Sequence, residues 1–432
     1  MFLHASKRSF FAVTATATAS VFAYKTSCFC SSNDLQNDIR VIRAVVLFRH
    51  GDRSPIHPPH SDHILPTSAA EEETKFWSSK LPNKKECQSW LDLHPLSSPT
   101  QERIDAGQRP WGQLTLVGAY QARTLGQFLR ERFINEDGGM LPSKLNNKNI
   151  KAHSTSIYRS QQTLQNVLIG LYGQGDREKG KETIQIHVTS NPDREEFQYS
   201  PNRDECSHLK KLHHVLTHKS AVHSLLTSDE QHALKKLHEL FHFGDTKFPT
   251  TRVRSTLVCH RSHDHKLPNN VLPSDIRHLE SANSKMEYKK YSNVNYFKLT
   301  LGRLIPRILN GLKGEDNKDI KLTLYSGHDS TIKPLAVQLG LDEMDAWPKY
   351  CANIIIEYGE NMNDKGNTTK GEGYVRVLYN QNVTPVLGLK ADENGWIPMK
   401  SFTEYMNRIS ITDHNHFYFC SNKHFGESLL KK

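Results

Sequence analysis

The stretch of this 432-residue chain most able to do chemistry is Arg49-His50-Gly51-Asp52-Arg53-Ser54-Pro55. Two arginines flank a histidine, and a glycine allows close backbone approach. Guanidinium forks match the oxygens of a phosphate in pairs and stay charged at any working pH. Such neighbours bias His50 toward its neutral form, because further positive charge is unwelcome. Neutral imidazole is a nucleophile, and a bound phosphate relieves the repulsion between the arginines. A merely solvated basic loop could carry the same triplet. The preceding segment argues otherwise: Arg40 to Phe48 (RVIRAVVLF) reads as a buried strand of a parallel sheet. Open α/β sheets place ligands at the carboxyl ends of such strands.

A second strand-end loop follows the same plan. Ile320 to Tyr325 reads as a buried strand, Ser326-Gly327-His328-Asp329 breaks it, and Ser330 to Leu339 reads as a helix ended by Gly340. A helix N-terminus favours an anion through its free N–H groups and its dipole. His328 is placed to bond a phosphoryl oxygen, and Asp329 to protonate a departing alkoxide. Alone, Asp329 reads as an N-cap with a nearby histidine. Two such loops in one α/β chain favour the chemical reading.

The remaining elements supply a scaffold. Thr115 offers an N-cap for a helix carrying Leu116, Ala119, Leu125, Phe128, Leu129 and Phe133, with Gly138-Gly139 expected to end it. Asn149 to Ser154 and Ile184 to Thr189 read as strands. Between them Tyr158 to Tyr172 reads as a helix with Gly173 as its C-cap. Tyr296 to Leu312 reads as one amphipathic helix, and Asn353 to Tyr358 and Tyr374 to Tyr379 as strands. His57 to Pro110 reads as a polar, irregular cover over the site. The expected fold is α/β, with a mostly parallel central sheet flanked by helices and a mainly helical inserted cap. The expected divisions are a leader at 1–33, core at 34–190, cap at 191–299 and core again at 300–432.

Arg49 to Pro55 matches the signature of the histidine acid phosphatase family, and Ser326 to Thr331 resembles its second block. Trp111-Gly112-Gln113-Leu114-Thr115 with Gly118, Gln121 and Gly126 resembles its Gly-Gln-Leu-Thr helix. Ser154-Thr155-Ser156-Ile157-Tyr158-Arg159 resembles its Arg-Ser-Thr-x-x-x-Arg segment, with His153 standing where the first arginine is usual. The blocks keep family order across most of residues 40 to 420. The resemblance implies phosphate binding by Arg49, Arg53, Arg159 and His328, phosphorylation of His50 and proton donation by Asp329. It implies hydrolysis of a phosphate monoester without metal or other cofactor. The Cys206 segment, His265-Lys266-Leu267-Pro268, Trp347-Pro348 and Cys420 resemble the lysophosphatidic acid phosphatase branch, whose substrate is a lysophospholipid. Inositol phosphates, sugar phosphates and phosphoproteins remain alternatives, as do a mutase and a phosphate-binding protein without catalysis. The resemblance also implies Cys351 as a half-cystine with Cys259 as its candidate partner, and Cys206 with Cys420 as a second candidate pair.

Composition bounds the partners. The net charge of +10 suits an anionic ligand, but Lys and Arg are spread along the chain without a nucleic-acid motif, so no nucleic acid is expected. No stretch beyond the leader approaches the about 18 apolar residues of a membrane span. Met1 to Asn33 holds Lys7, Arg8 and Lys25, no acid and many hydroxyls. It reads as a mitochondrial transit peptide, or as a secretory signal using Phe10 to Ala23. Five scattered cysteines after the leader make no disulfide framework, and no CxxC pair marks a zinc site. His57, His60 and His63, and His260, His263 and His265, lack a companion ligand pattern. They read as solvated loop residues.

Overall fold

The computed structural model describes residues 39–59, 64–97, 110–134, 139–177, 182–189, 206–218, 222, 224–243, 248–268, 270–315, 317–341, 343–362 and 373–421. The leader at 1–33, Gly138, His60 and His63 lie outside them. Strand β1 (Ile39–Arg49) is central. Val45 and Leu47 enter one apolar cluster, whereas Ala44, Val46 and Phe48 enter another. Successive side chains of a strand point to opposite faces, so both faces of β1 are covered. That explains an unbroken apolar run, with each large side chain contributing roughly 1.5–3 kcal/mol by burial.

The other strands are β2 (Ile150–Ser154), β3 (Ile186–Val188), β4 (Leu322–Gly327), β5 (Asn353–Asn361), β6 (Tyr374–Tyr379), β7 (Asn382–Val383) and β8 (Trp396–Pro398). Among the described residues they form one sheet of order β3-β2-β4-β1-β5-β6-β7, with β8 also on β6. The α/β class holds, and the sheet is mixed. β3, β2, β4 and β1 pair in parallel, and every pairing from β5 onward is antiparallel. The parallel half follows from strand–helix alternation. β5 and β6 need no crossover helix, so they add in antiparallel fashion.

Helices α1 (Ala70–Ser79) and α2 (Lys84–Leu93) lie where the sequence suggests an irregular cover. Asn83 and Glu86 form a capping box on α2, and Trp77 and Trp90 are buried. Then come α3 (Leu116–Phe133), capped by Thr115 as expected, and α4 (Tyr158–Leu171). α3 stops at Phe133, and Tyr172 rather than Gly173 caps α4. Their apolar sides (Leu125 and Leu129; Leu164, Val167 and Leu168) cover the Val46 face.

Between β3 and β4 lie α5 (Ser207–Leu216), α6 (Ser228–Leu240), α7 (Thr250–Ser262), α8 (Pro273–Ser292), α9 (Val294–Thr300) and α10 (Leu304–Lys313). The single helix expected over Tyr296 to Leu312 is therefore two. The Gly302 N–H turns back to the carbonyls of Phe297 and Lys298, and α10 restarts with Pro306 in its first turn, where a missing N–H costs nothing. Leu237, Val253, Leu257, Ile276 and Leu279 of α6, α7 and α8 form a separate apolar cluster. α11 (Asp329–Leu339), closed by left-handed Gly340 as expected, then α12 (Met399–Ile409) and α13 (Asp413–Ser421) complete the order. No described helix is long and apolar enough to cross a membrane.

Cys206, just before α5, is disulfide-bonded to Cys420 on α13. The other implied pair is absent: Cys259 and Cys351 are both free. Cys259 faces Arg53, whereas Cys351 packs in the cluster of Ile355 and Leu378.

Candidate active site

The two strand-end loops lie side by side because β1 and β4 are parallel neighbours in register, Arg49 opposite Gly327. The His50 N–H donates to the Gly327 carbonyl at 3.0 Å. His50 and His328 thus leave adjacent strands at one edge, with ring centres 5.5 Å apart. Ser326 donates its hydroxyl to the Ser160 carbonyl at 2.8 Å, tying the start of α4, and so Arg159, to the same edge.

The Arg49–Pro55 loop is held from below by the start of α3. A Cβ on Gly51 would lie 2.4 Å from the Gly118 carbonyl oxygen, and one on Gly118 would lie 2.2 Å from that of Asp52. Both positions must be glycine for the loop to pack. The Asp52 N–H donates to Gln121 Oε1 at 2.9 Å, and the Thr115 hydroxyl donates to Asp52 Oδ1 at 2.6 Å. Ser54 N–H meets the Gln113 carbonyl at 3.0 Å. These bonds are the physical content of the Gln113-Leu114-Thr115 block.

His50, Arg53, Arg159, His328 and Asp329 line one cavity of about 960 Å³, and Arg49 reaches it through Asp329. Arg49 donates to the Pro348 carbonyl at 2.6 Å and lies 3.2 Å from Asp329 Oδ2. Arg53 donates to Ser54 O, Ser255 Oγ and Cys259 Sγ. Among the described residues Arg159 donates to the Gly112 carbonyl, at 3.3 Å. A fourth arginine, Arg254 of α7, lies 3.7 Å from Asp329 Oδ2 with its guanidinium carbon 3.6 Å from the centre of the Trp347 ring. All four Nε atoms are buried without a hydrogen-bond partner among the described residues. Buried donors in that state are a ready receptor for an oxyanion.

Electrostatics separate the roles. Burial first, then Arg159 and Arg49, holds His50 well below the ordinary histidine range. Burial and then Arg159 push His328 down to about 3. Both rings are therefore neutral in weak acid. His50 Nδ1 lies 2.7 Å from the Gly51 carbonyl oxygen. A carbonyl only accepts, so Nδ1 carries the proton and Nε2 keeps its lone pair. Burial works to raise the Asp329 carboxyl, but Arg49, Arg254 and Arg53 outweigh it and hold it below the usual carboxylate range. Its Oδ2 also lies 3.3 Å from the Trp347 indole nitrogen. Burial, then Arg53, pushes Arg159 down to about 9, a strain that a bound phosphate would relieve.

The structure thus gathers His50, Arg49, Arg53, Arg159, His328 and Asp329. His153 is elsewhere: it stacks on Tyr325 within the sheet, ring centres 5.0 Å apart, and is not part of the cavity lining. Its neighbour Thr155 instead reaches His328 at 3.2 Å. Sequence reasoning missed Arg254, Ser255, Thr155, Trp347 and also Tyr350, whose ring centre lies 4.3 Å from the Arg49 guanidinium carbon, as site residues. Trp347-Pro348 carried a resemblance signal, whereas Arg254 sits in a helix whose pattern gives none.

A family model for the histidine phosphatase superfamily (branch 2) matches residues 40–380. The chain belongs to that family. It is a phosphoric monoester hydrolase of the histidine acid phosphatase class. A probable acid phosphatase of Schizosaccharomyces pombe is 25% identical over 379 residues, covering 81% of this chain and 77% of that one. Lysophosphatidic acid phosphatase type 6 of Bos taurus is 24% identical, covering 87% and 85%. Among solved structures, the Hafnia alvei phytase in complex with myo-inositol hexakis sulphate matches with a TM-score of 0.58 at 14% identity, over 86% of this chain and 98% of that one. That likeness is one of fold.

Proposed function

We propose that the enzyme works in two displacements through a phosphohistidine at His50. The supporting observation is the His50 ring, its Nδ1–H tied to Gly51 and its Nε2 lone pair free, set among arginines with unfilled donors. Nε2 attacks phosphorus while the ester P–O bond breaks toward the leaving oxygen, which takes a proton from Asp329. Water then attacks phosphorus and loses its proton to Asp329, and the P–N electron pair returns to His50. Arg49, Arg53 and Arg159, with Arg254 beside them, meet the charge on the equatorial oxygens. Asp329 is ionised before substrate arrives, so the proton it donates must enter with the substrate, as the monoanion of the ester. That requirement makes the reaction an acid one.

The substrate reading rests on the cavity walls. Above the arginine floor stand Ile56, Ile157, Val222, Leu226, Phe248 and Met286. Such walls favour a monoester with an apolar tail, the chemistry of a lysophospholipid. Arg252, Lys290 and Lys333 also line the cavity and support inositol phosphates as the second reading. A panel of lysophosphatidate, glycerol 3-phosphate and inositol hexakisphosphate separates the two. Each buried CH₂ is worth about 0.8 kcal/mol, so lysophosphatidate is expected to exceed glycerol 3-phosphate in kcat/KM by at least about tenfold. Equal values for the two, or a preference for the inositol phosphate, would count against the apolar reading.

The Cys206–Cys420 bond is of a kind kept by oxidising compartments. A lysosomal acid phosphatase of Xenopus laevis is 27% identical, over 76% of this chain and 68% of that one. Both are compatible with the secretory or lysosomal alternative to the mitochondrial address.

A further inference from the structure

The histidines at 260–265 are not solvated, and they divide between two carboxylates. His263 Nε2 lies 2.6 Å from Asp52 Oδ1, buttressing the Arg49–Pro55 loop. The other two converge on Glu73 of α1. His265 Nε2 is 2.6 Å from Glu73 Oε1, and His260 Nε2 is 3.4 Å from Oε2. One donor atom from each of the three lies within 4.8 Å of the others.

His260 is fully buried, and its Nδ1 lies 2.9 Å from the Lys266 carbonyl oxygen. That bond places the proton on Nδ1 and leaves a lone pair on Nε2. The lone pair faces a carboxylate oxygen and has no hydrogen-bond partner among the described residues. Two acceptors facing each other in a dry interior are unfavourable unless a metal cation or a proton lies between them. Zn²⁺ bonds of about 2.0–2.1 Å in a tetrahedron set neighbouring ligands about 3.3–3.4 Å apart, which matches the 3.4 Å between His260 Nε2 and Glu73 Oε2, whereas His265 Nε2 is hydrogen-bonded to Glu73 Oε1 at 2.6 Å and would exchange that bond for one to the ion.

The outer contacts fit the same purpose. A histidine ligand usually donates its other ring N–H to a carbonyl, as His260 does to Lys266. Trp77 Nε1 donates to Glu73 Oε2 at 3.0 Å. Phe76 stacks on His265 with ring centres 3.7 Å apart, fixing its orientation.

We propose that Glu73, His260 and His265 form a site for one divalent cation of the Zn²⁺ kind, with a fourth position left to water. The ion would pin α1 to the C-terminal end of α7, the helix that presents Arg254 and Ser255 to the cavity. Its role is therefore to position that helix, apart from phosphoryl transfer.

The test uses the full chain, stripped with a chelator at neutral pH and titrated with Co²⁺. Expected are one equivalent bound, the strong visible absorption of four-coordinate Co²⁺, its displacement by Zn²⁺, and a Tm raised by the bound ion. Glu73→Gln and His260→Ala should lose the absorption, whereas His50→Ala should keep it. Because removing a buried imidazole can unfold the chain, His265→Gln, at a more exposed ligand, provides an independent arm with the same expected loss. No stoichiometric Co²⁺ on the wild-type chain, or an unchanged spectrum in Glu73→Gln and His265→Gln, overturns the proposal. Glu73 would then be the shared ion-pair partner of two protonated histidines.

Discussion

At the scale of single residues, the proposed mechanism needs a histidine that is neutral in acid. An ordinary histidine, with a pKa near about 6.5, would be mostly protonated and non-nucleophilic at pH 5. Burial and the arginines hold His50 well below that, and a group with a lowered pKa stays neutral at every pH above it. In the proposed mechanism the proton for the leaving group comes with the ester monoanion, which is lost as pH rises past about 6. We therefore expect kcat/KM on an alkyl phosphate to be level from about pH 5 to 6 and then to fall toward tenfold per unit. A kcat/KM that climbs through that range would mean that His50 titrates as an ordinary histidine. Asp329 is tested by leaving-group dependence. Asp329→Asn preserves shape but donates no carboxylic proton, and general acid catalysis is worth about 10²–10⁴-fold. In single turnovers the variant should slow phosphoenzyme formation from glycerol phosphate far more than from p-nitrophenyl phosphate, whose leaving group departs unaided. Equal slowing would make Asp329 a structural N-cap of α11. Both motif residues are legible in sequence because each follows an apolar strand. Arg254 is not, because its role depends on how α7 is laid against the sheet.

At the scale of elements, legibility followed burial. β1, β4 and β5 are covered on both faces and announce themselves as apolar runs. The first two helices are mostly polar, so their sequence resembles a loop, and only Trp77, Trp90 and the Asn83–Glu86 box mark them. The break at Gly302 hides in a continuous apolar pattern because α9 and α10 both pack on the sheet's Val45 face. One polar clamp joins elements far apart in sequence. Glu357 of β5 is fully buried and accepts from Arg132 of α3 and from Arg376 of β6, the latter at 2.9 Å. It holds a site-bearing helix to the antiparallel half of the sheet. Removing one partner of a buried pair costs about 3–5 kcal/mol. Glu357→Gln should therefore lower the free energy of unfolding by up to about 3–5 kcal/mol while leaving kcat/KM of the folded enzyme intact. A loss of kcat/KM at full stability would place Glu357 in the catalytic machinery instead.

At the scale of the whole molecule, the parallel half of the sheet carries the candidate site and the antiparallel half closes the fold. The first was legible as strand–helix alternation. The extent of the second was not, since hairpin-like additions follow no long period. The segment between β3 and β4 contributes Arg254, Ser255, Phe248 and Met286 to the cavity, so the proposed substrate choice rests on the part of the chain with the weakest sequence signal. The cysteine pairing shows the same limit. The family resemblance implied two candidate bridges, but among the described residues the pair that meets is Cys206 and Cys420, because Cys259 is turned to Arg53 and Cys351 into the core. The central claim, a covalent phosphohistidine at His50, is tested most directly by acid quench during turnover of a ³²P-labelled monoester, with the label recovered under alkaline conditions and mapped. Acid-labile, alkali-stable label is expected on the peptide containing His50 and none on His50→Ala. Label that persists on the His50→Ala enzyme, or turnover without any phosphoenzyme in the wild type under single-turnover conditions, would contradict it.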